Sequence, residues 1–254
     1  MNKEIEISVV VPLFNEEANV STLISRLSDS LSSINAETEI ICIDDGSKDN
    51  TLINLIKLQE SNSRLKIIQL SRNFGHQAAY LAGLKESTAN YTVMIDGDLQ
   101  DPPELIPELY NKIKDSDIDI VYGKRTKRKE GLFKKILILL FHKIFSNLTS
   151  IKAPANVGNF SILNRSSLDA LLTLPEKNIY LPGLRFYIGF KQDFVEYDRG
   201  DRDKGDSLSL SRLFKLAFDA IFSFSKIPIK ISLIIGIIGI LLSLTGSGVV
   251  IYKK

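Results

Sequence analysis

Asp96 and Asp98 stand two residues apart across Gly97, directly after the apolar run Tyr91 to Ile95, and Leu99-Gln100-Asp101 follows them. Two carboxylates at i and i+2, held where a strand ends, can bind a hard divalent cation. Such a cation can also hold the two phosphates of a nucleotide diphosphate and neutralise the charge that develops as it leaves. An isolated Asp-x-Asp is more often a pair of solvated surface acids, so its surroundings decide. Asp44-Asp45-Gly46-Ser47 closes an earlier apolar run. One carboxylate there can accept from a base N–H and the other from a ribose hydroxyl. The same four residues also read as a turn with Gly46 at positive φ and Asp49 as a helix cap. Pro12-Leu13-Phe14-Asn15-Glu16 closes the first apolar run, and Glu16 either faces a ribose or favours a helix dipole. His76 reads as a helix-start residue supporting its loop, and His142 as an exposed interfacial side chain. The chain has neither a Cys/His cluster for zinc nor a Gly-x-x-x-x-Gly-Lys phosphate loop.

These residues need strands to carry them. Ile5 to Leu13, Glu39 to Ile43, Leu65 to Leu70, Tyr91 to Ile95 and Ile118 to Tyr122 are short runs rich in Ile and Val, as buried strands require. Helices are expected between them, from Asn15 to about Ile34, Asp49 to about Glu60, Gly75 to about Glu86, and Pro102 to about Lys114. The alternation implies an α/β fold with a mostly parallel sheet flanked by helices. The polar motifs then fall at the C-terminal ends of the strands, where open sheets of this kind bind ligands.

After Tyr122 the pattern changes. Lys124-Arg125-Thr126-Lys127-Arg128-Lys129 is a basic cluster. Gly131 to Leu148 reads as a helix suited to a membrane interface or to packing on the domain, and a second such helix runs from about Leu208 to Phe224. From Ile231 to Ile251 no residue is charged, about the length a helix needs to cross a bilayer. The expected division is a catalytic domain over 1–206, including the interfacial helix at about 131–148, a juxtamembrane helix over 207–228 and a transmembrane segment over 229–254. The chain has 254 residues, 44% of them hydrophobic, and a net charge of +2 that does not suggest a nucleic-acid binder. Its one cysteine, Cys42, lies in an apolar run and reads as a buried thiol. The N-terminus has no signal-peptide pattern, so the catalytic part is expected in the cytoplasm.

Four segments together carry a resemblance. Val11-Pro12-Leu13-Phe14-Asn15-Glu16-Glu17, Ile43-Asp44-Asp45-Gly46-Ser47-Lys48-Asp49-Asn50-Thr51, Ser71-Arg72-Asn73-Phe74-Gly75-His76-Gln77 and Asp96-Gly97-Asp98-Leu99-Gln100-Asp101-Pro102-Pro103-Glu104 stand in order. They resemble glycosyltransferase family 2, in particular the polyprenyl-phosphate glycosyltransferases of the bactoprenol glucosyltransferase and dolichol-phosphate mannosyltransferase type. The resemblance implies a GT-A (Rossmann-like) domain and Mg2+ or Mn2+ held by Asp96, Asp98 and Gln100. It implies a nucleotide-sugar site at Pro12, Phe14, Glu16, Asp44, Asp45 and Asp96. It places the lipid phosphate at Lys124, Arg125, Arg199, Arg202 and Ser207, and catalysis at Asp98, Arg125 and Asn159. The implied reaction is inverting transfer of a hexose, with UDP-glucose as first donor, to polyprenyl (undecaprenyl) phosphate at the cytoplasmic face of a bacterial inner membrane. A homo-oligomer such as a tetramer and two membrane helices are also implied, whereas this chain ends at Tyr252-Lys253-Lys254 after one.

Two segments depart from the family pattern. Gly158-Asn159-Phe160-Ser161 has Asn and Ser where bacterial relatives have Asp and Arg. Gly205-Asp206-Ser207-Leu208-Ser209 lacks a lysine and an aromatic. A phosphomonoester with a second pKa near ~6 is largely ionised at neutral pH, so an attacking phosphate needs positioning more than a base. Asn159 can still donate a hydrogen bond to it. Two rivals remain open: a transferase with a soluble or polysaccharide acceptor, and a catalytically impaired partner that binds sugar nucleotide or lipid as a scaffold.

Overall fold

The computed structural model describes residues 4–126, 157–175, 180–198 and 227–252. Lys127 to Lys129, the helices expected over 131–148 and 208–224, and Arg199, Arg202 and Ser207 lie outside the described residues. The chain divides into two compact units, residues 1–131 with 153–205 and residues 132–152 with 206–254.

The first unit is built on a seven-stranded sheet. Its strands are β1 (Ile7–Leu13), β2 (Thr38–Asp44), β3 (Leu65–Gln69), β4 (Tyr91–Met94), β5 (Ile120–Arg125), β6 (Val157–Asn164) and β7 (Gln192–Tyr197). The order is β3-β2-β1-β4-β6-β5-β7. All neighbours pair in parallel except β6, which runs antiparallel to both β4 and β5. β1 and β2 are buried along their whole length, which explains why they read as nearly continuous apolar runs. In chain order the sheet grows from β1 to β2 and β3 on one side, then returns to place β4 on the other. Such a reversal opens a crevice at the C-terminal strand ends. The pairings Leu13↔Asp44 and Val10↔Met94 bring the three acidic turns to that one edge.

Helices cover both faces. On one side α1 (Val20–Ser32) and α4 (Ile106–Lys114) pack Leu23, Leu27, Ile106 and Leu109 against Val9, Val11, Val93 and Phe160. On the other, α3 (His76–Glu86), α5 (Arg165–Leu172) and α6 (Leu181–Tyr187) cover Val10, Ile41, Ile43 and Met94. A further helix, α2 (Thr51–Ser61), follows β2 in the chain, and a 3-10 turn at Pro103–Leu105 precedes α4. Cys42 is fully buried in the first core, and burial pushes its thiol pKa up.

Three boundaries differ from expectation. α1 begins at Val20, not near Asn15. Asn15 sits at φ 55°, and the backbone N–H groups of Asn15, Glu16 and Glu17 donate to Ser47, Thr51 and Asp49 at 2.8–3.1 Å. Those bonds satisfy the donors as a turn rather than as a first helical turn. β5 continues through Arg125, so Lys124 and Arg125 lie on a strand paired with Glu196 and Tyr197 rather than in a free basic loop. The residues after Tyr122 also supply β6 and β7, which periodicity did not reveal.

The helix α7 (Ile227–Tyr252) is 26 residues long. Its described large apolar side chains, among them Leu233, Ile240 and Leu242, are exposed. This helix covers most of the segment that the sequence led us to expect across a membrane. Its side chains are described only at 232–234, 236–240 and 242–246. Among the described residues no helix is long and apolar enough to cross a membrane.

Candidate active site

The ends of β1 and β2 tie to each other first. Asn15 Oδ1 accepts from Lys48 N at 2.8 Å, and Glu17 Oε2 accepts from Asn50 N at 3.0 Å. Asp49 accepts from Thr51 N at 3.0 Å, one residue outside the N-cap position of α2, which Asn50 occupies without a side-chain cap bond. Glu16 accepts from Asn19 Nδ2 at 2.7 Å, and Pro12 is buried. Asp44 is buried and takes the Ser47 N–H at 3.3 Å. Asp45, also buried, uses both oxygens on the loop before α3, accepting from Phe74 N at 2.8 Å and Gly75 N at 2.9 Å. The sequence assigned Asp45 to a nucleoside; the structure shows it organising the loop that delivers His76. Gly46 adopts φ +68°, as the turn reading requires, and passes against the backbone of Arg72 and Asn73. Phe14 and Phe74 are exposed beside these turns, with the Arg72 guanidinium 4.2 Å from the Phe74 ring centre.

The Asp-Gly-Asp turn then closes against the end of β1. A Cβ on Gly97 would lie 2.4 Å from Leu13 Cδ2 and 3.0 Å from Pro12 O, so a larger residue here requires the Leu13 side chain to shift and presses on the Pro12 carbonyl. Asp96 is the most heavily bonded group of the site. Its Oδ1 lies 3.0 Å from His76 Nε2, 2.7 Å from the Tyr80 hydroxyl and 3.1 Å from Asn159 Nδ2. Burial works against the charged carboxyl, but these donors outweigh it and hold Asp96 well below the usual carboxylate range. Burial likewise opposes charge on His76, and Asp96, Asp98 and Asp45 overcome it, holding the imidazole above its ordinary value. Burial, then Asp96, pushes Tyr80 well up, so its phenol stays a donor. All three partners use Oδ1, leaving Oδ2 of Asp96 without a hydrogen-bond donor among the described residues. Asp98 is half-buried and accepts from Gln100 N at 3.2 Å, and Gln100 is nearly buried.

Asn159 reaches Asp96 because β6 pairs with β4 in register, Met94↔Ser161. Its Oδ1 accepts from Gln77 Nε2 at 3.4 Å. Asp101, fully buried, accepts from the Tyr197 hydroxyl and lies 3.7 Å from Arg125 Nη2. Burial opposes the Arg125 charge, and Asp101 and Tyr197 more than restore it. Lys124 donates to Glu196 at 2.7 Å and sits 4.1 Å from the Phe194 ring centre. Of the lipid-phosphate set, Arg125 and Lys124 are thus described with internal partners, and the other three lie outside.

The structure brings Asp96, Asn159 and His76 together and adds Tyr80, Gln77 and Arg185, which sequence reasoning missed. His76 and Tyr80 stand at i and i+4, one helical turn apart, and that spacing was a readable signal. Arg185, alone in an apolar segment, offered none.

The family model for glycosyl transferase family 2 matches residues 8–172. An uncharacterized glycosyltransferase of Synechocystis is 41% identical over 98% of this chain and 79% of its own length. A prophage bactoprenol glucosyl transferase homolog of Escherichia coli is 35% identical over 92% of this chain and 76% of its own. Among solved structures, a mannosyltransferase of Pyrobaculum calidifontis with GDP-Man and Mn2+ has a TM-score of 0.57 at 16% identity, covering 81% of this chain and 59% of that one. Glucosyl-3-phosphoglycerate synthase of Mycobacterium tuberculosis, with Mn2+, UDP and phosphoglyceric acid, has a TM-score of 0.59 at 21% identity, covering 87% and 76%. These two share the GT-A fold. By the family match and the long, close relatives, the chain belongs to glycosyl transferase family 2 and is a glycosyltransferase.

Proposed function

We propose that the chain transfers a hexose, with UDP-glucose as first donor, to the phosphate of a polyprenyl phosphate at a membrane face. The observation that carries this reading is the turn after β4. It holds Asp96 ionised through three donors on one oxygen and presents the half-buried Asp98 two residues on. The relatives named for bactoprenol glucosyl transfer support the acceptor. The exposed apolar side chains described on α7, among them Leu233, Ile240 and Leu242, support association with a membrane surface.

The donor set fits Mg2+ or Mn2+. Asp96 Oδ2 and the Asp98 carboxylate are hard oxygen ligands, and Gln100 stands beside them. Among the described residues no group of three or more His, Cys, Asp or Glu could hold a metal ion alone. A site of two carboxylates suits a cation whose remaining ligands are substrate phosphates and water. When bound, the cation would neutralise charge on the leaving diphosphate. The chain's own residues do the rest. Asp44, Glu16 and Phe14 border the strand ends where the nucleoside would lie. Asn159 donates from the side of β6 next to Asp96, and Arg125 offers a cation on the neighbouring strand. The lipid phosphate oxygen bonds to the anomeric carbon as the bond to the diphosphate breaks, and the diphosphate leaves with the electron pair. Configuration inverts, and no proton transfer is needed because the phosphate is already largely ionised at neutral pH.

The test is an assay of the purified full chain with radiolabelled UDP-glucose and undecaprenyl phosphate. Label should pass into the organic phase in Mn2+ or Mg2+, and EDTA should lower the rate by about a hundredfold or more. Measurable UDP binding without labelled lipid, across UDP-glucose, GDP-mannose and UDP-N-acetylhexosamines, would favour the scaffold reading.

A further inference from the structure

Arg185 is fully buried, at 1% exposure, and has no carboxylate partner among the described residues. Burial pushes its guanidinium pKa down to about 10, so it remains charged at neutral pH. Burying a charge without an opposite charge is costly, and a position that carries one needs a reason. The carbon of its guanidinium lies 5.2 Å from the Tyr122 ring centre and 5.6 Å from that of Phe186. Its Nη2 donates to Gly158 O at 3.2 Å and its Nη1 to Asn159 O at 3.4 Å.

Those two carbonyls lie where the sheet is irregular. The β5–β6 register shifts between Tyr122 and Lys124, so the ladder passes from Tyr122↔Ser161 to Lys124↔Val157 with Gly123 unmatched. A bulge leaves carbonyls without ladder donors, and a buried carbonyl must find one elsewhere. Arg185 donates to both, and at Asn159 O the Ser161 hydroxyl donates as well, at 2.8 Å. Its two-pronged guanidinium can reach two carbonyls at fixed spacing, as a lysine ammonium cannot. Gly158 is confined from another direction, since a Cβ there would lie 2.6 Å from Arg125 Nη2. α6 also holds Asn159 by a second route. Leu181 N at its start donates to Gln77 Oε1 at 2.9 Å, and the same amide's Nε2 donates to Asn159 Oδ1.

We infer that Arg185 is a positioning residue of the glycosyltransferase. By fixing the carbonyls of Gly158 and Asn159 at the bulge, it aims the Asn159 amide at Asp96. The inference rests on the assignment of Asp96 and Asn159 to the reacting centre.

The experiment is a double-mutant cycle on the full chain, combining Arg185→Met with Asn159→Ala. Turnover is read with UDP-glucose and undecaprenyl phosphate. The Asn159 side-chain amide signal, identified by its loss in Asn159→Ala, is read by NMR. Arg185→Met should lower kcat on the order of tenfold to a hundredfold, the scale of a small misplacement. In the Asn159→Ala background it should lower kcat little further. The Asn159 amide signal should shift by more than its width in Arg185→Met. If Arg185→Met fails to fold, Arg185→Lys, which keeps the charge but not the two-pronged donor, takes its place in the same cycle. An unmoved amide signal, or effects on kcat that simply multiply, would overturn the inference. The amide signal needs no turnover, so a failed assay of the wild-type chain would count against the substrate and leave Arg185 judged by the spectrum.

Discussion

Asp96→Asn is expected to lower turnover by on the order of a thousandfold while the fold survives. The replacement is isosteric, and its carbonyl oxygen can still accept from the Tyr80 hydroxyl at 2.7 Å and from Asn159 Nδ2 at 3.1 Å. What it removes is the charge that three donors are arranged to hold. A cation ligand of this kind contributes several kcal/mol of transition-state stabilisation, and ~4 kcal/mol corresponds to about a thousandfold. Asp98→Ala removes the second carboxylate of the pair and should fall in the same range. Rates from the radiolabel assay, with circular dichroism to confirm folding, check both. Turnover within tenfold of wild type in either variant would remove the Asp-Gly-Asp turn from the chemistry.

The second large effect is on stability. Gly46→Ala puts a Cβ 2.5 Å from the carbonyl carbon of Arg72 and 2.8 Å from Arg72 Cα and Asn73 N, at a φ of +68°. The left-handed conformation alone costs an alanine about 1–2 kcal/mol. The contact is with backbone on all three counts, so no side chain can swing away. Relief requires moving the loop whose Phe74 and Gly75 N–H groups lie on Asp45. We expect a loss of about 3 kcal/mol or more, seen as a fall in Tm of roughly 6–12 °C for a unit of this size. Activity should fall with it, because the same loop starts α3 at His76. A Tm within 2 °C of wild type would show that the loop yields freely. Calorimetry of the two proteins decides it.

Much of the sheet was legible because of how it is buried. β1 and β2 are covered on both faces, so Ile5 to Leu13 and Glu39 to Ile43 read as nearly continuous apolar runs. The acidic turns were legible because short polar clusters interrupt those runs at their ends. The rest depended on distant partners. α1 starts late because Asn15, Glu16 and Glu17 spend their N–H groups on Ser47, Asp49 and Thr51, over thirty residues away. β6 carries Gly158 and Asn159 at a bulge, and neither suggests a strand from its own type. Lys124 and Arg125 open the basic cluster where the resemblance implies the lipid phosphate. In the structure Glu196 holds the first, and Asp101 and Tyr197 hold the second, through strand pairing that no local pattern announces. Asp45 was read as a ligand contact because a carboxylate in a turn suggests one. Its two loop bonds appear only once Phe74 and Gly75 are folded beside it.

The function proposed for this chain requires that the Asp96–Asp98 turn be the donor site. Diffraction from crystals soaked in Mn2+ and UDP tests this without knowledge of the sugar or the lipid. The predicted result is an anomalous peak within coordination distance of Asp96 Oδ2 and the Asp98 carboxylate, with diphosphate density against it and the nucleoside near Phe14 and Asp44. Nucleotide bound elsewhere on the sheet edge, with no metal between these two carboxylates, would contradict it.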